Sequence, residues 1–328
     1  MIRVAMLSKW HVHAEGYAKH LQSIPDVTIR YVWDEEPDRG LPWARDIGAI
    51  FEPQLPELLA KDDLDAVIVC SPTNLHPEIM IRAAQAGKHI FTEKVLAINL
   101  KDCDAVIDAV RKAGVVFTIS YPHRCMPVHL ALKKAVDEGL LGKLTLMRVR
   151  NAHNGALAEW LPDYWYDPET TGGGAMMDLG AHPMYLLRWY LGKPARIQSM
   201  FNSYTRRSVD DNAVSTIEFV GGALGVSETS LVSPMSPYIV EAYGTEGVGI
   251  IQDQTLRIRS KKFPDVGAEF IVQALPDALP NPLDQFIESV RSGAATLFGL
   301  EEARQLTELM QYAYQAHREE RVVAIPER

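Results

Sequence analysis

Cysteine is scarce in this chain: Cys70, Cys103 and Cys125 are the only three among 328 residues. An odd number in apolar or helical surroundings, without metal-ligand spacing, excludes a disulfide framework and reads as reduced core thiols of a cytoplasmic protein. Positive charge is not in excess either. With 33 Lys and Arg against 42 Asp and Glu, the formal net charge is −9, so neither a nucleic acid nor an anionic membrane is an expected partner. No apolar run reaches the roughly 20 residues needed to span a bilayer. The start Met1-Ile2-Arg3-Val4-Ala5-Met6-Leu7 lacks a long apolar region with a small-residue cleavage site, so neither export nor insertion is expected. No repeat or low-complexity segment stands out. Glycine is missing where a nucleotide-binding chain most often needs it, between the first strand and Gly16.

What remains is ordinary globular composition, 47% hydrophobic and 23% charged, in a chain long enough for two domains. Strand and helix patterns alternate from the start. Ile2 to Leu7, Val27 to Trp33, Ala66 to Cys70, His89 to Phe91 and Val115 to Ile119 read as strands. Helical patterns at residues 13–23, 43–47, 55–60, 77–86 and 99–113 separate them. This predicts an α/β domain over residues 1–120, a doubly wound parallel (Rossmann) sheet. The proline-bounded stretch Ser120 to Pro127 is a boundary signal. Residues 121–328 are expected to form an α+β domain for substrate binding and oligomerisation, with a large, mostly antiparallel sheet.

A dinucleotide site on such a sheet uses a glycine-rich turn after the first strand. Here that turn is Ser8-Lys9-Trp10-His11-Val12-His13. Either the site has been lost, or Ser8 and Lys9 supply hydroxyl and ammonium contacts to phosphate. Asp34, ending the second strand, is placed to accept the adenosine ribose hydroxyls. Glu35 and Glu36 would repel a 2′-phosphate, so NAD is expected rather than NADP. His11 and His13 also permit a rival reading, since paired histidines after a first strand can bind Zn in a (β/α)₈ barrel. The strands after residue 142 come without intervening helices, which a barrel does not allow, and no metal is expected.

The strand His89-Ile90-Phe91 delivers Thr92-Glu93-Lys94-Val95 to the sheet edge where open α/β sheets bind ligands. The polar turn Ser71-Pro72-Thr73-Asn74-Leu75-His76 leaves the preceding strand at the same edge. These two stretches resemble motifs of the Gfo/Idh/MocA oxidoreductases. The family's Glu-Lys-Pro stands here as Glu93-Lys94-Val95, and its Thr-Pro-Asn-x-x-His turn as residues 71–76. The resemblance implies that Lys94 reaches the reacting hydroxyl, that Glu93 helps position the nicotinamide side, and that the residue 71–76 turn lines the cofactor. Val95 replaces a proline that in the family often follows a cis peptide.

The second informative stretch is Gly172-Gly173-Gly174-Ala175-Met176-Met177-Asp178-Leu179-Gly180-Ala181-His182. The glycines read as a flexible lead into a helix running to about Leu191, with Asp178 and His182, four residues apart, on one face. A carboxylate beside an imidazole is a plausible general-base pair. The stretch is similar to the same family's Gly-Gly-Gly-x-x-x-Asp-x-Gly-x-His pattern, and the resemblance extends to the closing helices and strand. One departure is Tyr185, where many members carry Asp. His123, Arg124, His153 and Asn154 are further candidates for substrate hydroxyls or phosphate, and Trp160, Tyr164, Trp165 and Tyr166 for stacking on a sugar face. The expected chemistry is oxidation of a secondary alcohol on a sugar, inositol or polyol. His182 takes the proton, Asp178 orients it, and Lys94 stabilises oxyanion charge. A homodimer or homotetramer is expected because a large sheet must cover its outer face. A non-catalytic sugar or nucleotide sensor, a metal-dependent hydrolase using His11 and His13, and the NAD-assisted glycoside cleavage known in the family remain as alternatives.

Overall fold

The computed structural model describes residues 1–265 and 268–326. The chain runs β1 (Ile2–Leu7), α1 (Ala14–Ser23), β2 (Val27–Trp33), α2 (Pro37–Asp46), β3 (Ile50–Phe51), α3 (Leu55–Leu59), β4 (Ala66–Val69), α4 (His76–Gln85), β5 (His89–Thr92), α5 (Leu100–Ala113) and β6 (Phe117–Ile119). It continues through α6 (Pro127–Asp137), β7 (Leu144–Ala152), α7 (Pro168–Thr171), α8 (Ala181–Leu191), β8 (Pro194–Asn202), β9 (Asn212–Phe219) and β10 (Leu224–Ser230). Then come β11 (Ile239–Gly244), β12 (Gly247–Gln252), β13 (Thr255–Ser260), β14 (Phe270–Ile271), α9 (Pro282–Ser292), α10 (Leu300–Glu319) and β15 (Val323–Ala324).

Two compact units result: residues 1–120 with 281–307, and residues 121–280 with 308–328. In the first, six strands lie in the order β3-β2-β1-β4-β5-β6, all parallel. This is the dinucleotide-binding strand order, with its switch point between β1 and β4. Every residue of β4 is buried, as expected of a strand covered on both faces. Val4, Met6, Leu21, Ile68 and Phe91 share one core with Leu283, Phe286 and Ile287 of α9. Phe91 and Phe286 have ring centroids 5.8 Å apart. Burial of that apolar helix face ties residues 281–307 to this unit. Asn281 caps α9 by accepting the Asp284 amide at 2.9 Å.

The second unit is built on a nine-stranded sheet, β14-β13-β12-β11-β7-β10-β9-β8-β15. Only the β7–β10 pair is parallel among its described pairings. Burial alternates along β8 and β9, so one face carries the core, and α8 packs against β7 and β10. The helix predicted to run from the glycine stretch starts only at Ala181. Residues 175–180 form turns, so Asp178 precedes the helix and does not share a helical face with His182.

Candidate active site

At the nucleotide edge of the first unit, the glycine-free turn closes on itself. Ser8 is buried and takes φ +73°, the left-handed conformation that glycine usually supplies there. Its hydroxyl accepts the Trp10 amide at 3.0 Å, a local bond that offsets the strain. The Lys9 amide donates to Asp34 at 2.8 Å and the His11 amide to the Cys70 carbonyl at 3.0 Å. Backbone donors that a glycine-rich turn would present to phosphate are thus engaged internally. The Lys9 ammonium lies 2.6 Å from Glu15, and Trp10 is buried.

Asp34 is 1% exposed. Its carboxylate accepts the Lys9 amide, the Glu36 amide at 2.9 Å, and Arg39 at 3.1 and 2.6 Å. Arg39 also reaches Ser8 at 3.3 Å and Glu35 at 2.5 Å. Burial, with Asp34 close by, pushes the Glu35 carboxyl above its ordinary range. Arg39 was not singled out from the sequence, although it stands four residues after Glu35, with which it pairs.

The β4 and β5 turns are joined by one imidazole. His76 is buried, with its ring nitrogens 3.0 Å from the Val95 carbonyl and 3.1 Å from the Ser71 carbonyl. Burial lowers its pKa. Ser71, Pro72 and Thr73 are buried and Asn74 exposed, so His76 fastens this turn to the segment carrying Lys94. Lys94 is 6% exposed, Glu93 1%, and the Lys94–Val95 peptide is cis. The Glu93 carboxylate accepts the Lys94 amide at 3.1 Å, His13 Nδ1 at 2.8 Å and the Tyr17 hydroxyl. Burial would raise its pKa, but His11, His13 and Lys94 together hold it well below the ordinary value. Burial and the Glu93 charge push the Tyr17 phenol well up. Switch-point strand ends, the Asp34 carboxylate and the residue 71–76 turn fit a dinucleotide, with Ser8 in the place of the first glycine of its turn.

In the second unit, His182 opens α8. Its Nδ1 lies 2.9 Å from the Tyr185 hydroxyl, one helical turn on, and that oxygen accepts the His123 amide at 3.3 Å. The His123 and His182 rings stack with centroids 4.4 Å apart and an interplanar angle of 23°. Burial keeps the Tyr185 phenol well above its ordinary pKa and therefore neutral. Tyr185 is thus one partner of the His182 ring. Asp178 accepts the Trp165 indole N–H at 3.3 Å, and its charge acts on His153, whose pKa burial lowers. His153 packs on Trp160, centroids 4.7 Å apart. The Arg124 guanidinium lies over Trp189, 5.1 Å from the ring centroid.

Behind His123 lies a hydrogen-bonded chain that escaped sequence reading. His123 Nδ1 is 3.3 Å from the Tyr238 hydroxyl, which is 2.8 Å from His129 Nε2. His129 Nδ1 is 3.2 Å from Tyr190 Oη, and Tyr190 donates to the His129 carbonyl at 2.9 Å. His129 is fully buried, and burial followed by the neighbouring His123 depresses its pKa from 6.5 to about 3. A histidine neutral when folded but protonated when unfolded stabilises fully above pH 6.5, and loses that contribution as pH falls toward 3. The expected slope is about 1.4 kcal/mol per pH unit. Denaturant unfolding at pH 7, 6 and 5 should show it, and His129→Asn should flatten it; an unchanged slope would count against a buried neutral imidazole.

Residues 10–121 match a family described as an oxidoreductase family with an NAD-binding Rossmann fold, and residues 129–249 match the GFO/IDH/MocA C-terminal domain. The chain belongs to the Gfo/Idh/MocA oxidoreductases. Over 298 residues it is 31% identical to the scyllo-inositol 2-dehydrogenase (NAD(+)) of Bacillus subtilis (strain 168), covering 84% of this chain and 83% of that protein. It is 27% identical over 329 residues to the myo-inositol 2-dehydrogenase of Thermotoga maritima, covering 95% of each. A levoglucosan dehydrogenase structure in complex with NADH has the same fold, with TM-score 0.89, 19% identity and 100% of both chains covered. The cofactor of this Gfo/Idh/MocA chain is NAD. The barrel hydrolase reading of His11 and His13 finds no support in an open six-stranded sheet.

The family's triple glycine has a packing reason here. A Cβ at Gly174 would lie 1.9 Å from the Asp210 carbonyl oxygen, and the Gly174 amide donates to Asp210 at 2.9 Å. Tyr314 donates to the same carboxylate at 2.8 Å. Gly174→Ala is therefore expected to destabilise the second unit by about 2–4 kcal/mol. A melting temperature equal to that of the parent chain would contradict the close approach.

Proposed function

We propose that this chain oxidises a secondary alcohol of a sugar, inositol or related polyol, with NAD as oxidant. The observation that carries this reading is Lys94, nearly buried beside an ionised Glu93 at the carboxyl end of β5, in a family whose similar members include two inositol dehydrogenases. Bound NAD supplies the hydride acceptor. The cofactor is held by the Ser8–His11 turn, by Asp34 and by the Ser71–His76 turn, and Glu93 sets the local charge at its nicotinamide end. His182 accepts the hydroxyl proton, and a hydrogen bond from its Nδ1–H to the Tyr185 oxygen leaves Nε2 as the base. The Lys94 ammonium stabilises negative charge developing on the substrate oxygen. Asp178 and Trp165, bonded to each other, together with His153 and His123, contact neighbouring substrate hydroxyls.

NAD is preferred over NADP because Asp34 and Glu35 together outweigh the single guanidinium of Arg39, leaving net negative charge where a 2′-phosphate would sit. NADH formation across a panel of inositols, aldoses and anhydrosugars tests the activity, and repeating it with NADP tests the preference. We expect turnover with a cyclic polyol and a specificity constant at least about tenfold higher with NAD. NAD binding without NADH formation on any polyol would favour a sensor.

The outer face of the large sheet supports self-association. Met200, paired with Val214, is 77% exposed and Val214 43%, beside the Arg148, Glu228 and Glu241 ion pairs. Light scattering should report a homo-oligomer that Met200→Glu weakens; a monomeric parent chain would refute this.

A further inference from the structure

His11, His13 and Glu93 bring three ligand atoms within 4.8 Å of one another. From the sequence no metal is expected at the two histidines, because the strands after residue 142 lack the helices that a (β/α)₈ barrel requires. Folding supplies a third ligand: β5 ends beside the β1 turn, and the Glu93 carboxylate sits 2.8 Å from His13 Nδ1. The two imidazole rings are tilted by 53° with centroids 4.7 Å apart. Glu93 and His11 are buried, and His13 is half exposed on its side chain, which leaves a path from solvent.

We propose that these residues form a site for a first-row divalent cation of the zinc class. Two imidazoles and one carboxylate are the donor set that such cations favour, with coordination positions left open for oxygen ligands. Magnesium and calcium prefer an all-oxygen shell and are not matched. Two neutral imidazoles and one carboxylate leave a divalent ion with one net positive charge, and Lys94 adds to it. The open positions therefore suit an anionic oxygen donor, which the N-terminus of α1, starting at Ala14, also attracts. The backbone amides of Lys9, Trp10 and His11 are engaged, so a bound cation would give this turn the positive charge that a glycine-rich turn provides through N–H groups. Tyr17, also bonded to Glu93, would orient the carboxylate from behind.

The test needs neither NAD nor substrate, so its outcome stands apart from the dehydrogenase reading. The chelator-treated chain is titrated with Co²⁺ while its visible absorption is followed, and metal content is measured after loading with Zn²⁺ and dialysis. One cation per chain is expected. Loss of a supporting outer residue typically costs about 10–100-fold in affinity, so His11→Ala and His13→Ala, which remove ligands, should cost at least that. His20→Ala, which alters a histidine outside the cluster, should leave binding intact. His13→Gln, which preserves side-chain bulk and an N–H donor toward Glu93, guards against misfolding and should lose binding while the chain still melts in one cooperative transition. Failure to retain stoichiometric metal, or retention by the His11→Ala/His13→Ala double variant, would overturn the proposal and leave the trio an ion-pair network.

Discussion

Replacing His182 with alanine is expected to lower kcat by about 10²–10⁴, the usual contribution of a positioned general base. The ring is held on three sides: by its place at the start of α8, by the Tyr185 hydroxyl at 2.9 Å and by the stacked His123 ring. Tyr185→Phe keeps the packing with Tyr121, 4.3 Å away between centroids, and removes only the oxygen. It should cost less than His182→Ala and should move the pH dependence of kcat/KM, because a neutral phenol fixes the ring tautomer without lending it charge. Tyr185→Asp should raise the basicity of His182 and displace the acidic limb of the profile upward. A His182→Ala enzyme with parental kcat would remove the assignment, and a Tyr185→Phe profile identical to the parent's would reduce Tyr185 to packing.

Lys94→Ala should lower kcat by about 10²–10³, the measured range for removing one donor to a developing oxyanion. The lysine is nearly buried beside a carboxylate held ionised, so its charge acts in a medium that screens poorly. Because the interaction strengthens as the oxygen gains charge, kcat should fall more than KM rises. Lys94→Arg restores the charge but not its position and should recover only part of the rate. The stability of Lys94→Ala needs separate measurement, since removing the amine leaves Glu93 with less positive charge around it. Parental turnover in a folded Lys94→Ala chain would remove this step of the mechanism.

Element order was legible because β4 and α5 each carry one clear hydrophobic period, and most predicted strands and helices fall within a residue or two of the observed ones. The Val220–Ala223 hairpin was legible from its two glycines, and Phe219 N–H bonds to the Ala223 carbonyl at 2.9 Å as that turn requires. Asp178 misled because four-residue spacing implies a shared face only if the helix already exists there. The Gly174 and Met176 amides donate to the Asp210 carboxylate, and residues 175–180 form turns ahead of α8. The placement of the Arg124 guanidinium over Trp189 was not legible in the sequence, because the two residues are far apart in the chain.

By itself the sequence determined the alternating sheet of the first unit, the antiparallel character of the second, and the family, through Glu93-Lys94 and Gly172-Gly173-Gly174 with His182. These rest on local periodicity and short motifs, which are written within a few residues of each other. Tertiary structure alone decided that Arg39 takes the Asp34 carboxylate, that the Tyr185 hydroxyl meets His182, and that Glu93 completes a trio with His11 and His13. The Glu93 trio joins residues some 80 positions apart, where only the folded chain sets distance, burial and charge.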